Sequence, residues 1–112
     1  MSNFQNIIGN QLAQAAITGT LATVYTVPAN TRTYVKDINI CNTTGTAITV
    51  NIHLVPSSGT AGTGNALLYG YSVAANSIYH WTGTQIMLTG GLIRVSASTT
   101  GATVTISGGE AT

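Results

Sequence analysis

The side chains able to transfer protons, attack carbonyls or hold metals are few: Asp37, Glu110, His53, His80, Cys41 and the cations Arg32, Lys36 and Arg94. Acid/base catalysis by paired carboxylates would need Asp37 and Glu110 together, and Glu110 lies two residues from the end of the sequence, a poor place for a desolvated, preorganised group. Zinc asks for three or four ligands, and the spacing of His53, His80, Cys41, Asp37 and Glu110 matches no metal motif. Cys41 with His53 would make a nucleophile and base without a third residue to orient them, so Cys41 is read as an ordinary small hydrophobe. The GTAGTG run at 59–64 resembles a phosphate loop but lacks the Lys-Ser/Thr ending and a following helical pattern. Asn42-Thr43-Thr44 matches the glycosylation triplet, with no secretory leader to give it meaning. The expectation is a protein without catalytic, cofactor-binding or metal site, that is, not an enzyme.

The elements that would position any site are made from an unusual composition. The 112 residues are 44% hydrophobic but only 4% charged, with a net charge of +1. Three cations on separate segments cannot form the basic patch that neutralises several phosphates, so nucleic acid and polybasic membrane docking are excluded as expected partners. No run of eighteen apolar residues suggests a membrane span, and one cysteine excludes a disulfide within the chain, so synthesis in a reducing cytoplasm is expected. Twenty Thr, eleven Ile and eight Val against seven Leu give an all-β composition, because β-branched side chains pack well on pleated surfaces. A nearly uncharged surface also protects poorly against association. The chain is therefore expected to live in an assembly.

The order of elements follows from alternation and turn signals. Residues 1–19 are read as an N-terminal arm with Phe4, Ile7, Ile8 and Leu12 as its apolar positions; Gly9 weakens a helix there, and a frayed end or an edge strand near 13–18 is the competing reading. Residues 20–112 form the domain, with strand-like runs at 20–27, 32–41, 47–55, 66–73, 76–83, 84–88, 92–98 and 102–108. Asn30 follows Pro28 in a turn that tolerates left-handed geometry. A phase change near Lys36 predicts a bulge. The segment 42–46 reads as a hairpin connection with Gly45 at a positive φ. In 47–55, Ile48, Val50, Ile52 and Leu54 face inward, leaving Thr49, Asn51, His53 and Val55 outward. Seven to eight short strands predict an antiparallel β-sandwich of jelly-roll or immunoglobulin-like kind.

Contacts with partners are expected where the chain is exposed and free to order. The arm residues Phe4, Ile7, Ile8 and Leu12 and the long loop carrying Ser57, Ser58, Thr60, Thr63 and Asn65 are the candidate interface. Arg94 either lies on a solvated face or reaches a carboxylate, Asp37 or Glu110, of a neighbouring subunit. Tyr79 and Trp81 share one strand face. Turned inward they are large core residues; turned outward they join Tyr69 and Tyr71 as an aromatic patch.

Five short segments carry a resemblance to a known family: VPANT at 27–31, KDINICNTT at 36–44, VNIHLVPS at 50–57, SVAAN at 72–76 and IRVSAS at 93–98. In these the chain resembles small structural proteins of tailed bacteriophages over roughly residues 20–106. It departs from them at 88–91, where LTGG stands in place of a Gly-Asp turn. The resemblance implies a β-sandwich virion protein without catalytic activity. Relatives of this type are head decoration (cement) proteins, often trimers bound to the major capsid protein, or tail and baseplate components. A host-glycan adhesin using Tyr69, Tyr71 or Trp81 is the reading from another class. No cofactor and no small-molecule substrate are implied.

Overall fold

A computed structural model describes residues 7–112. Eight strands follow one another: β1 (Ile7–Ile17), β2 (Ala22–Thr26), β3 (Arg32–Asn42), β4 (Ile48–Val55), β5 (Ala66–Val73), β6 (Ser77–Met87), β7 (Leu92–Ala97) and β8 (Ala102–Ala111). They form two four-stranded antiparallel sheets, β1-β8-β3-β6 and β2-β7-β4-β5. Strand one pairs with eight, two with seven, three with six and four with five. This is a long hairpin wound into a sandwich, the jelly-roll arrangement rather than the immunoglobulin one.

The alternation read from the sequence places the core. Val35, Ile38, Ile40, Ile48, Val50, Ile52, Ile93, Val104 and Ile106 are 0% exposed between the sheets. Each such side chain contributes about 1.5–3 kcal/mol by leaving water. Leu54 packs against this cluster as its alternation predicts, and Tyr79 and Trp81 also turn to it, half-buried.

Four features differ from the sequence expectation. Residues 7–17, expected in an arm, form strand β1 on the edge of the first sheet, where Leu12, Ala13 and Ile17 are buried. Apolar residues spaced irregularly around Gly9 hid a strand whose pattern shifts at a bulge. The runs 76–83 and 84–88 are one strand, since Gly83 sits in a bulge rather than a turn. The segment 42–47 joins strands in opposite sheets and is no hairpin, and its Gly45 is not among the residues at positive φ. Asn42 organises that crossing instead: its side-chain nitrogen donates to the carbonyls of Thr46, Val73 and Ala74 while its oxygen accepts from the Thr44 backbone N–H and hydroxyl. By contrast, Asn30 does take φ 54°, and the bulge at Lys36 is present.

Irregularity falls on every outer strand. Between Gln11 and Ala13, β1 spends two residues where β8 spends one, and β2 does the same against β7 between Thr23 and Tyr25. β6 takes three steps, from Thr82 to Gln85, against two of β3, from Val35 to Asp37. β5 runs ahead of β4 twice, at the bulge that holds Gly70 at φ 64° and again toward Ala66. All four edges are therefore kinked, one of the ways a sheet blocks strand addition from another molecule. Charges at the edge usually share that task, and this chain has almost none.

Candidate assembly surface

Polar side chains enter the sandwich at one end. Tyr25 of β2 donates to Glu110 Oε2 at 2.5 Å, and Thr33 Oγ1 lies 2.7 Å from the same phenol oxygen. The single phenol proton goes to the carboxylate, so the Thr33 hydroxyl donates to the phenol. Asn10 of β1 donates to the other carboxylate oxygen at 3.2 Å. Burial, then the hydrogen bond to Glu110, push the Tyr25 phenol up to about 12. Glu110 is held by Asn10 of the neighbouring strand β1 and by Tyr25 of β2 in the opposite sheet, and so joins the two sheets.

The other chemistry-bearing residues stay apart. His80 Nε2 and Asp37 Oδ2 meet at 2.6 Å, with both side chains about half exposed. A surface pair of this kind contributes at most about 1 kcal/mol. Lys36 Nζ donates to Thr84 Oγ1 at 2.8 Å across the same two strands, so it does not pair with Asp37. Cys41 is a free thiol, half-buried in the middle of the first sheet. Among the described residues no three His, Cys, Asp or Glu side chains gather at one point.

His53 faces away from the core, as alternation requires, but it is only 6% exposed because the 56–65 loop folds over it. Its Nδ1 lies 3.0 Å from the Gly62 carbonyl and 3.2 Å from Asn65 Oδ1. Two acceptors at one ring nitrogen fix the proton there. Asn65 also donates to the Thr60 carbonyl and accepts from the Gly62 N–H, so this loop residue is committed to holding its own loop. Ser57, Ser58, Thr60 and Thr63 remain exposed on it. Arg94, opposite His53 on β7, is half-buried; it reaches the Leu21 carbonyl at 3.5 Å, and its Nε has no hydrogen-bond partner among the described residues.

The exposed apolar side chains are more telling. Ile7 and Ile8 are 61% and 67% exposed at the start of β1, while Ile86 and Leu88 are 57% and 63% exposed at the end of β6. These positions lie at the same end of the first sheet, since Ile8, Glu110, Thr33 and Met87 form one row across its four strands. Beside Ile86 and Leu88 opens a groove of about 580 Å³, walled by Leu54, Val55, Pro56 and Met87. Of the residues expected at an interface, Ile7 and Ile8 are on this end, Leu12 is buried in the core, and Phe4 lies outside the described residues. Ile86 and Leu88 were missed. A strand read as ending in QIML gives no sign that its last apolar residues lack a cover.

Tyr69 is 67% exposed and stands edge-on to His53, and Tyr71 stacks obliquely on Tyr79 at 4.4 Å across the gap between the edge strands β5 and β6. Trp81 packs on the core, so the aromatic residues make no continuous outer platform.

No protein-family model matches this sequence, and no characterised protein matches it by sequence. Solved structures do share its fold. The chain is similar, at 14% identity and TM-score 0.59 over 96% of its length and 88% of the other, to a protein of Bacillus endospore appendages, described as disulfide-linked pili. It is also similar to a chain from infectious bursal disease virus, Gx strain, at 12% identity and TM-score 0.55, and to one from T=1 particles derived from that virus, at 11% and 0.51. In both viral cases 98% of this chain is matched, but it spans only about a third of the viral protein. At such identities the likeness shows a common jelly-roll fold, one used here by proteins that build particles and fibres.

Proposed function

We propose that this protein is a non-enzymatic structural subunit of a virion, a decoration (cement) protein of a tailed bacteriophage head that binds the assembled shell as an oligomer, with a trimer expected. The observation that carries the reading is the pair of exposed apolar patches, Ile7 with Ile8 and Ile86 with Leu88, at one end of a jelly roll that has almost no surface charge and kinked edges throughout. Such a molecule associates through side chains at its ends and faces, in numbers set by a symmetric shell. A subunit that binds only the assembled shell, through the major capsid protein, stabilises it by mass action. Ligands of other kinds have little to meet: the cations are scattered, and the carboxylates serve Tyr25 and His80.

Counting this protein by quantitative mass spectrometry in separated heads and tails of purified particles tests the reading. Hundreds of copies in heads are expected. A handful of copies confined to tails would move the protein to the tail or baseplate, and loss of host binding on replacing Tyr69 with assembly intact would favour the adhesin reading.

A further inference from the structure

We infer that the groove beside Ile86 and Leu88 receives the Phe4 segment of a second copy of this chain, making a head-to-tail contact. The inference shares with the proposed function only the premise that the protein self-associates. The groove, about 580 Å³, has an apolar wall of Leu54, Val55 and Met87, and its rim carries Ile86 and Leu88 more than half exposed. It suits one large apolar side chain with a short stretch of backbone. The described chain starts at Ile7, at this same end of the sandwich, and the residues ahead of it, MSNFQN, include the only phenylalanine of the sequence.

Reach favours a second copy as the supplier of the segment. Arg32 stands in the row of Ile7 and Ala111, one residue beyond the Thr33–Met87 pair, so Leu88 closes that row on β6. The row crosses three inter-strand gaps, about 14 Å at roughly 4.8 Å each. Phe4 is three residues from Ile7 and extends at most about 11 Å from it. Its own groove lies past β6 toward β4, farther than this span of backbone, so Phe4 would meet it only with its side chain fully extended along the row. A neighbouring copy brings its groove to the segment without that restriction. Strand addition offers no competing route, because each of the four edges is bulged.

The contact is heterologous: each copy gives a segment and takes one, so it closes a ring if the rotation allows and otherwise extends a chain. The test uses the purified full chain with two variants, Phe4→Ala with its groove intact and Leu88→Asp with its segment intact. Each alone is expected to lose self-association, with an apparent Kd at least tenfold higher by light scattering coupled to size exclusion. Mixed in equal amounts, they should form a one-to-one pair and nothing larger, since one usable segment meets one usable groove. Ile86→Asp should replace Leu88→Asp in this complementation, and circular dichroism checks that both remain folded. A monomeric wild type, unchanged oligomers in the variants, or a mixture that stays monomeric would overturn the inference. No virion is needed, so this result is independent of where the copies are counted in the particle.

Discussion

Asn42 and Tyr25 show how much of this fold rests on single polar side chains. Asn42 is 1% exposed and joins the 42–47 crossing to the end of β5 through three donated bonds. Asn42→Ala removes those bonds and leaves the Thr44 N–H without its acceptor, while Thr44 Oγ1 and Ser77 Oγ still donate to the Thr46 and Ala74 carbonyls; it should cost about 2–3 kcal/mol in urea unfolding. For Tyr25 the sign follows from its raised value of about 12 against the ordinary 10. Native and unfolded chains are both protonated below pH 10; above it the unfolded phenol ionises first, so stability falls as pH rises from 10 to 12. Tyr25→Phe should flatten that part of the urea-midpoint profile. His53 marks a limit of sequence reading at this scale. Alternation gave its face correctly, but its burial depends on Asn65 folding the loop back, a contact between side chains twelve positions apart that no periodicity encodes.

Among elements, the strands with strong Ile/Val alternation were legible, and the edges were not. β3 and β4 lie close to their expected limits because buried apolar residues repeat every second position. β1 was caught only in part, by the competing reading of an edge strand near 13–18, and β6 was split in two, because a bulge changes which face the next residue takes and breaks the pattern that identifies a strand. The same irregularity places strict demands on β8. A Cβ at Gly108 would run into the Tyr34 carbonyl oxygen where β3 bulges at Lys36. Gly108→Ala should therefore destabilise by 4 kcal/mol or more, to be read as a collapse of the unfolding midpoint. Ile40→Ala, in the regular half of the same strand pair, should cost about 2–5 kcal/mol through its cavity alone.

Taken as a whole, the molecule has the fold of pilus and virus-particle proteins but not every means of assembly those proteins use. Disulfide linkage into a fibre needs two bridging positions per subunit, whereas this sequence has one cysteine, half-buried on an inner strand of the first sheet. Oxidation could join two copies at most, so any wild-type oligomer larger than a dimer should persist in reductant, as size exclusion with and without reductant would show. The sandwich class was legible from composition and turn spacing. The assembly surface was legible only in part: Ile7 and Ile8 stood out as apolar residues in a polar stretch, whereas the groove exists only because strands distant in sequence end side by side.

The pairing of β1 with β8 also sets a timetable. The first strand waits for a partner about a hundred residues further on, so on the ribosome it stays single until β8 has emerged. The β4–β5 hairpin at the middle of the chain is the one pair available early, and closure proceeds outward from it by contacts of growing sequence separation, which places folding in the slow range for a domain of this size. Nascent chains that stall before Ala102 would expose both β1 and the unpaired flank of β3, and chaperones that capture extended apolar segments are the natural readers of that interval.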